Sequence, residues 1–213
     1  EEGSFYCLGV IIFWSIFSLL FANLLIVFIV ALVWWSRIHP WFSHGYKTGK
    51  TVYQSLLTCW ISFISGFLVF LLYLLYNLII EKCSMSIIVR KKNSFYLKLK
   101  QVSCIVAYII TISLFLITII SAMIASAYAL KNEKNNGESL KCLRYILDGY
   151  QGAADWVTNQ NVEKQNDLNK WHSNMLDKAF KNDGSVTNYY CLNMGGTIMV
   201  FSIIAFLSII GSI

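Results

Sequence analysis

Three long stretches of the chain, residues 8–36, 52–80 and 101–130, contain no charged side chain. At about 1.5 Å per residue, a helix of this length reaches roughly 43 Å, which exceeds the ~30 Å hydrocarbon core of a bilayer. A fourth apolar stretch covers residues 194–213. Such stretches are typical of membrane-spanning segments. We therefore predict an all-α membrane protein with four transmembrane helices and a small helical polar domain between the third and the fourth.

The composition excludes several classes of function. Only 13% of the residues are charged, against about 25% in soluble domains. No Asp, Glu, Lys, Arg or His lies in the four stretches, whereas pumps, coupled transporters and voltage sensors need such groups at membrane depth. The three histidines are scattered, and no nucleophile arrangement or zinc-ligand spacing is present. The sequence predicts no catalytic residues, no cofactor-binding residues and no metal ligands, and thus no enzyme.

Basic residues in the connecting loops predict the orientation. The loop at 81–100 contains six Lys and Arg, and the loop at 37–51 contains three. Because short loops rich in Lys and Arg remain inside, we expect 81–100 and both termini inside. The loop at 37–51 and the polar segment at 131–193 are then outside.

One basic cluster lies beside the second and third stretches. We consider two roles for it: a topology signal alone, or a site that attracts anionic lipid headgroups. The residues of this lipid-headgroup candidate are Arg90, Lys91 and Lys92.

The polar segment, residues 131–193, carries eight basic and eight acidic residues. This balance is typical of a solvated surface and indicates no nucleic-acid partner. Its patterning predicts a short helix over 139–147 that ends at Asp148-Gly149, and one or two helices over 152–180. The segment is expected to pack on itself, on the loop at 37–51, or on a partner. The candidate partner contacts form an apolar stripe of Trp156, Trp171, Met175 and Phe180.

Two cysteines, Cys142 and Cys191, lie in the polar segment. On an oxidising face of a membrane they are expected to form a disulfide. The bridge would close a loop of about 50 residues and stabilise the segment by about 4 kcal/mol in the chain-entropy model.

Small and polar side chains in the spans predict close helix packing. Asn23 is expected to form an interhelical hydrogen bond of about 1 kcal/mol. The packing candidates at the end of the third span and the start of the fourth are Ser121, Ala125, Ala129, Gly195 and Gly196.

The sequence Gly45-Tyr46-Lys47-Thr48-Gly49-Lys50-Thr51 is similar to a phosphate-binding loop, but one residue is missing between its glycines. It also lies between two spans and not between a strand and a helix. We therefore predict no nucleotide binding there.

The layout resembles that of tetraspanins: four spans, termini inside, a short first outer loop and a larger second one. Asn23 in the first span and Cys191 before the fourth also fit. The family's Cys-Cys-Gly signature is absent, since Leu143 and Arg144 follow Cys142. The resemblance implies a membrane organiser.

The sequence predicts a non-catalytic subunit or organiser of a larger membrane complex, in which residues 131–193 dock a partner. Its expected partners are other membrane protein subunits and the lipid bilayer, in an oligomer or hetero-complex. One alternative is a channel-forming or channel-accessory homo-oligomer, and another is an accessory subunit of an organellar energy-transducing complex. The expected location is the plasma membrane or an endomembrane, with the mitochondrial inner membrane as the alternative.

Overall fold

The computed structural model contains four helices long and apolar enough to cross a membrane. These are α1 (Glu2–Phe42), α2 (Lys47–Ile87), α3 (Ser94–Leu130) and α6 (Thr197–Gly211), the last preceded by a π-helical turn at 193–196. Their membrane-crossing parts are Ser15–Phe42, Lys47–Ile79, Gln101–Leu130 and Asn193–Gly211. The protein is an integral membrane protein, and the predicted four-span all-α fold is confirmed.

The structure describes residues 2–87, 94–130, 132–135, 138–141, 143–160, 162–180 and 193–211. Within them, side chains are described for 12, 15–79, 101–130, 145–160, 162–174 and 193–211.

The polar segment contains a short antiparallel hairpin and two helices. Strand β1 (Asn132–Asn135) pairs with β2 (Glu138–Lys141), so that Asn132 lies opposite Lys141. Helices α4 (Leu143–Val157) and α5 (Val162–Phe180) follow. We call α4 and α5 the cap, and the end of the bundle that they cover the cap end.

The four spanning helices form an up-and-down bundle. Going round it, the order is α1, α2, α3 and α6, with α6 returning to α1. The longest packing contact joins α2 and α3, and α4 lies mainly on α2. The cap is therefore seated on α1 and α2, the first two helices in the chain.

The core consists of two clusters, one at the cap end and one deeper in the bundle. At the cap end, Trp34, Ile38 and Phe42 are fully buried at four-residue intervals along α1. The deeper cluster is centred on Phe63 of α2, whose ring lies 4.6 Å from Phe28 and 6.1 Å from Phe115. Aromatic pairs at such distances add about 0.5–1.5 kcal/mol each to the packing.

The first connecting loop is much shorter than the predicted 37–51. Helix α1 ends at Phe42 and α2 begins at Lys47, so only 43–46 connect them. The cause is the helical period: Arg37 is exposed, but its neighbour Ile38 is buried on the same face as Trp34. Charged residues thus mark where the apolar stretch ends and not where the helix ends. The predicted loop at 81–100 likewise contains the end of α2 and the start of α3.

The predicted helix at 139–147, ending at Gly149, is wrong in its boundaries. Residues Glu138–Lys141 form β2, and α4 begins at Leu143 and continues through Gly149 to Val157. A glycine at this point of the sequence predicts a helix end, but Gly149 lies within the helix, against the ring of Phe42. Gly149 is therefore needed for the close packing of α4 against Phe42 and not for a turn of the chain.

Candidate functional site

The cap is seated on the turn between α1 and α2 through four glycines, which we call the glycine contact: Gly45, Gly49, Gly149 and Gly152. A Cβ atom on Gly152 would lie 2.4 Å from the carbonyl oxygen of His44 and 2.6 Å from the amide nitrogen of Tyr46. Neither backbone atom can turn away as a side chain can. Only glycine at position 152 permits this approach.

The second pair of glycines brings α4 against the first turn of α2. A Cβ atom on Gly49 would lie 2.7 Å from Cα of Gly149 and 2.9 Å from the carbonyl oxygen of Tyr145. A Cβ atom on Gly149 itself would lie 2.4 Å from the ring of Phe42. The helices therefore meet backbone to backbone, as small residues allow in membrane helices.

Asp148 supplies polar contacts to the start of α2. Its carbonyl oxygen accepts a hydrogen bond from the amide of Tyr46 (2.9 Å), and its carboxylate accepts one from the amide of Thr48 (3.3 Å). The first turn of α2 contains no acid of its own, although free amides and the helix dipole favour a negative group there. Asp148 thus caps α2 from a position 100 residues away in the chain.

Aromatic rings fill the space around the glycine contact. Phe42 packs edge-on against Tyr145 at 6.1 Å and against Trp171 at 5.8 Å. The indole N–H of Trp171 donates a hydrogen bond of 3.2 Å to the carbonyl oxygen of Arg37. Trp34 contacts Tyr145 from below, at 5.9 Å. These rings tie both cap helices to α1.

The outer edge of the contact carries two further links. The ring of His44 stacks flat on Trp156 at 3.9 Å, and the ammonium group of Lys164 lies 5.0 Å from the same indole. The phenol of Tyr46 donates a short hydrogen bond to the carboxylate of Asp155. The side chains that make these links with each other or with Trp156 are all exposed, namely those of His44, Tyr46, Asp155 and Lys164. These links therefore orient the cap and add little to its stability.

The predicted partner contacts divide into two groups. Trp156 and Trp171 are engaged within the chain, on the α1–α2 turn and the end of α1. Met175 and Phe180 belong to α5, but their side chains lie outside those that the structure describes. Cys142, Cys191 and the basic cluster at 90–92 also lie outside the described residues.

The predicted packing residues fall mostly on buried helix faces. Ser121, Ala125 and Ala129 are buried on α3, and a Cβ atom on Gly195 would meet Ala129 at 3.6 Å. Gly196 has no such neighbour within 4 Å.

Asn23 bonds within its own helix. It is buried, but its side-chain amide donates to the carbonyl oxygen of Leu19 at 2.6 Å. This bond takes the place of the expected interhelical one, because a carbonyl one turn earlier is within reach in any helix.

The described part of the cap holds one histidine with a shifted pKa. Among the residues that the structure describes, no group of three or more His, Cys, Asp or Glu could hold a metal ion. His172 stacks on Tyr150 at 3.7 Å, and burial lowers the pKa of its imidazole. The glycine contact and the rings around it hold the cap against the α1–α2 turn.

Sequence reasoning missed the glycine contact. By sequence alone, Gly45 and Gly49 resemble part of a phosphate-binding loop, and Gly149 resembles a helix end. Glycines four residues apart at the start of an apolar helix were the available signal for close helix approach.

We predict that Tyr46→Phe loosens the edge of the cap in a pH-dependent way. The hydrogen bond to Asp155 raises the pKa of the Tyr46 phenol, and the carboxylate charge adds to the effect. Because the pKa of Tyr46 is raised in the docked state, its hydrogen bond stabilises the docked cap fully below about pH 10, the ordinary pKa of a tyrosine. This stabilisation is lost as the pH rises further. The melting temperature of Tyr46→Phe should lie slightly below that of the wild type at neutral pH, and the two should converge at alkaline pH. A constant difference between them would contradict the prediction.

We also predict a disulfide between Cys142 and Cys191. Non-reducing peptide mass spectrometry of the protein from its native membrane should recover the two cysteines in one linked peptide pair. Recovery of both as free thiols, with alkylation performed before lysis, would place the polar segment on a reducing face or refute the pairing.

Comparison of the chain with protein-family models, with curated proteins and with solved structures finds no match.

Proposed function

We propose that the protein is a non-catalytic subunit or organiser of a larger membrane complex, in which residues 131–193 dock a partner. The observation that carries the proposal is the glycine contact, together with the Asp148 cap on α2. They join the polar segment to α1 and α2 backbone to backbone. A partner held by the cap is thereby fixed in position relative to the bundle.

The outward side of α5 is the surface that we propose for docking, together with Met175 and Phe180. Val162 begins α5 and is 69% exposed, and Asn166 and Lys170 follow it at four-residue spacing and are also exposed. In a docked complex Val162, Met175 and Phe180 would supply apolar contact area, and Asn166 and Lys170 would belong to the polar rim of the interface. Trp156 and Trp171 pack against the small core between α4 and α5, which includes Leu168.

Lateral packing with other membrane subunits is the second part of the proposal. The spans expose many large apolar side chains, such as Leu72 at 64% and Leu207 at 60%. Such faces fit either lipid or the apolar surface of a neighbouring subunit. The plasma membrane or an endomembrane is the proposed location, with the mitochondrial inner membrane as the alternative.

Purification of the tagged full chain from its native membrane in a mild detergent tests the proposal. We expect a complex that contains at least one other membrane protein in a fixed ratio. Recovery of a free monomer would count against assembly, and a ring-shaped homo-oligomer would favour a channel instead.

Two variants test the docking surface. Val162→Glu should release the co-purifying protein, because it places a charge at the proposed interface. The matched control, Gln151→Glu, adds the same negative charge at an exposed position of α4. This variant should retain the co-purifying protein. Equal retention by both variants would move the interface away from α5.

A further inference from the structure

An apolar cleft of about 120 Å³ opens between α1, α2 and α3, in the half of the bundle away from the cap. Its lining includes Phe17, Phe70, Tyr73, Ala107, Tyr108 and Ile112. All of these lie within the membrane-crossing parts of their helices. The medium around the cleft is therefore lipid, and an occupant must be apolar over this length.

The smallest side chain that lines the cleft is that of Ala107. Ala107 lies between larger side chains on α3, and Tyr108 and Tyr73 line the same cleft from α3 and α2. The surface that lines this space is almost wholly apolar, whereas a buried water needs two or more polar partners. It matches a short run of methylene groups.

The sequence that continues α2 and α3 beyond the cleft is rich in lysine. Cys104 lines the cleft, and Lys100 is one helical turn, about 6 Å, beyond it on α3. Lys98 follows, and Lys82 is on the α2 helix that pairs with α3. Residues 81–100 contain six basic residues and one acid. A chain whose apolar end lies in the cleft would thus have its head at the level of the lysine-bearing ends of α2 and α3.

We infer that the cleft holds an acyl chain of an anionic phospholipid whose headgroup lies near Lys82, Lys98 and Lys100. The charge at this level decides between anionic and neutral phospholipids. Each Lys near a membrane surface favours an anionic headgroup by roughly fivefold in affinity. The predicted orientation also puts this end on the inside, where anionic lipids are concentrated.

Native mass spectrometry of the detergent-solubilised full chain tests this inference with two probes, dioleoyl phosphatidylglycerol and dioleoyl phosphatidylcholine. The wild type should bind phosphatidylglycerol more tightly. Ala107→Trp should weaken that binding by roughly tenfold, since the indole displaces about two methylene groups. Lys98→Gln with Lys100→Gln should weaken phosphatidylglycerol binding by roughly fivefold per lysine and leave phosphatidylcholine unchanged.

The chain offers a matched control for each change. Ala127→Trp inserts the same indole at an exposed position of α3 outside the cleft, and Lys47→Gln with Lys50→Gln removes two charges at the cap end. Both controls should bind phosphatidylglycerol as the wild type does. Equal loss in Ala107→Trp and Ala127→Trp would overturn the cleft as the site. Equal binding of the two lipids by the wild type would overturn the anionic headgroup.

Discussion

Gly152→Ala is expected to detach the cap from the α1–α2 turn. A Cβ atom at this position would overlap the backbone at His44, Gly45 and Tyr46, at 2.4–2.7 Å. Because backbone atoms on both sides must move apart, we expect a loss of about 1–3 kcal/mol or more in the free energy of unfolding. Thermal unfolding in detergent, followed by tryptophan fluorescence, measures it, and limited trypsin digestion should cut the cap earlier than in the wild type.

Gly196→Ala is the matched control. A Cβ atom there meets nothing within 4 Å, so the same substitution should be neutral or stabilise the helix by up to about 1 kcal/mol. Opposite signs for the two variants would establish the glycine contact. A neutral Gly152→Ala with an intact, protease-resistant cap would show that the contact is absent.

Phe42→Ala is expected to destabilise the cap end by about 3–5 kcal/mol. Phe42 is fully buried and contacts Tyr145, Trp171 and Gly149. Its removal leaves a cavity beneath the cap, which the rigid helices cannot fill. Phe206→Ala, at a side chain that is 39% exposed on α6, should cost much less.

A double-mutant cycle tests the contact between Phe42 and Gly149 directly. Gly149→Ala alone should destabilise, because its Cβ would lie 2.4–2.6 Å from the Phe42 ring. In the Phe42→Ala background that ring is gone, so the added methyl should cost less or fill part of the cavity. The two effects should therefore be non-additive. Strict additivity would mean that the two residues do not touch.

The spans could be predicted because hydropathy is a local property. Residues 52–80 and 101–130 have no charge, and a long uncharged helix satisfies its own backbone wherever it lies in lipid. The helix ends could not be predicted in this way. Arg37 and Lys50 end the apolar stretches but not the helices, because each points outward from a turn whose other face is buried.

The buried face of the third span could be predicted from the spacing of its small residues, because Ser121, Ala125 and Ala129 are all buried. The hydrogen-bond partner of Asn23 could not be predicted in this way. The same sequence allows a side-chain amide in a helix to bond either to its own backbone or to another helix. The choice depends on the neighbouring side chains, which only the packed bundle defines.

The sequence by itself determined the number of spans, the polar segment between the third and the fourth, and the concentration of positive charge at 81–100. Only the tertiary structure decided where that segment is seated. Gly49 and Gly149 are 100 residues apart, and each has an ordinary local explanation as part of a loop or the end of a helix. Their role arises from contact between two backbones, and such contact depends on the fold and not on the spacing of either residue along the chain.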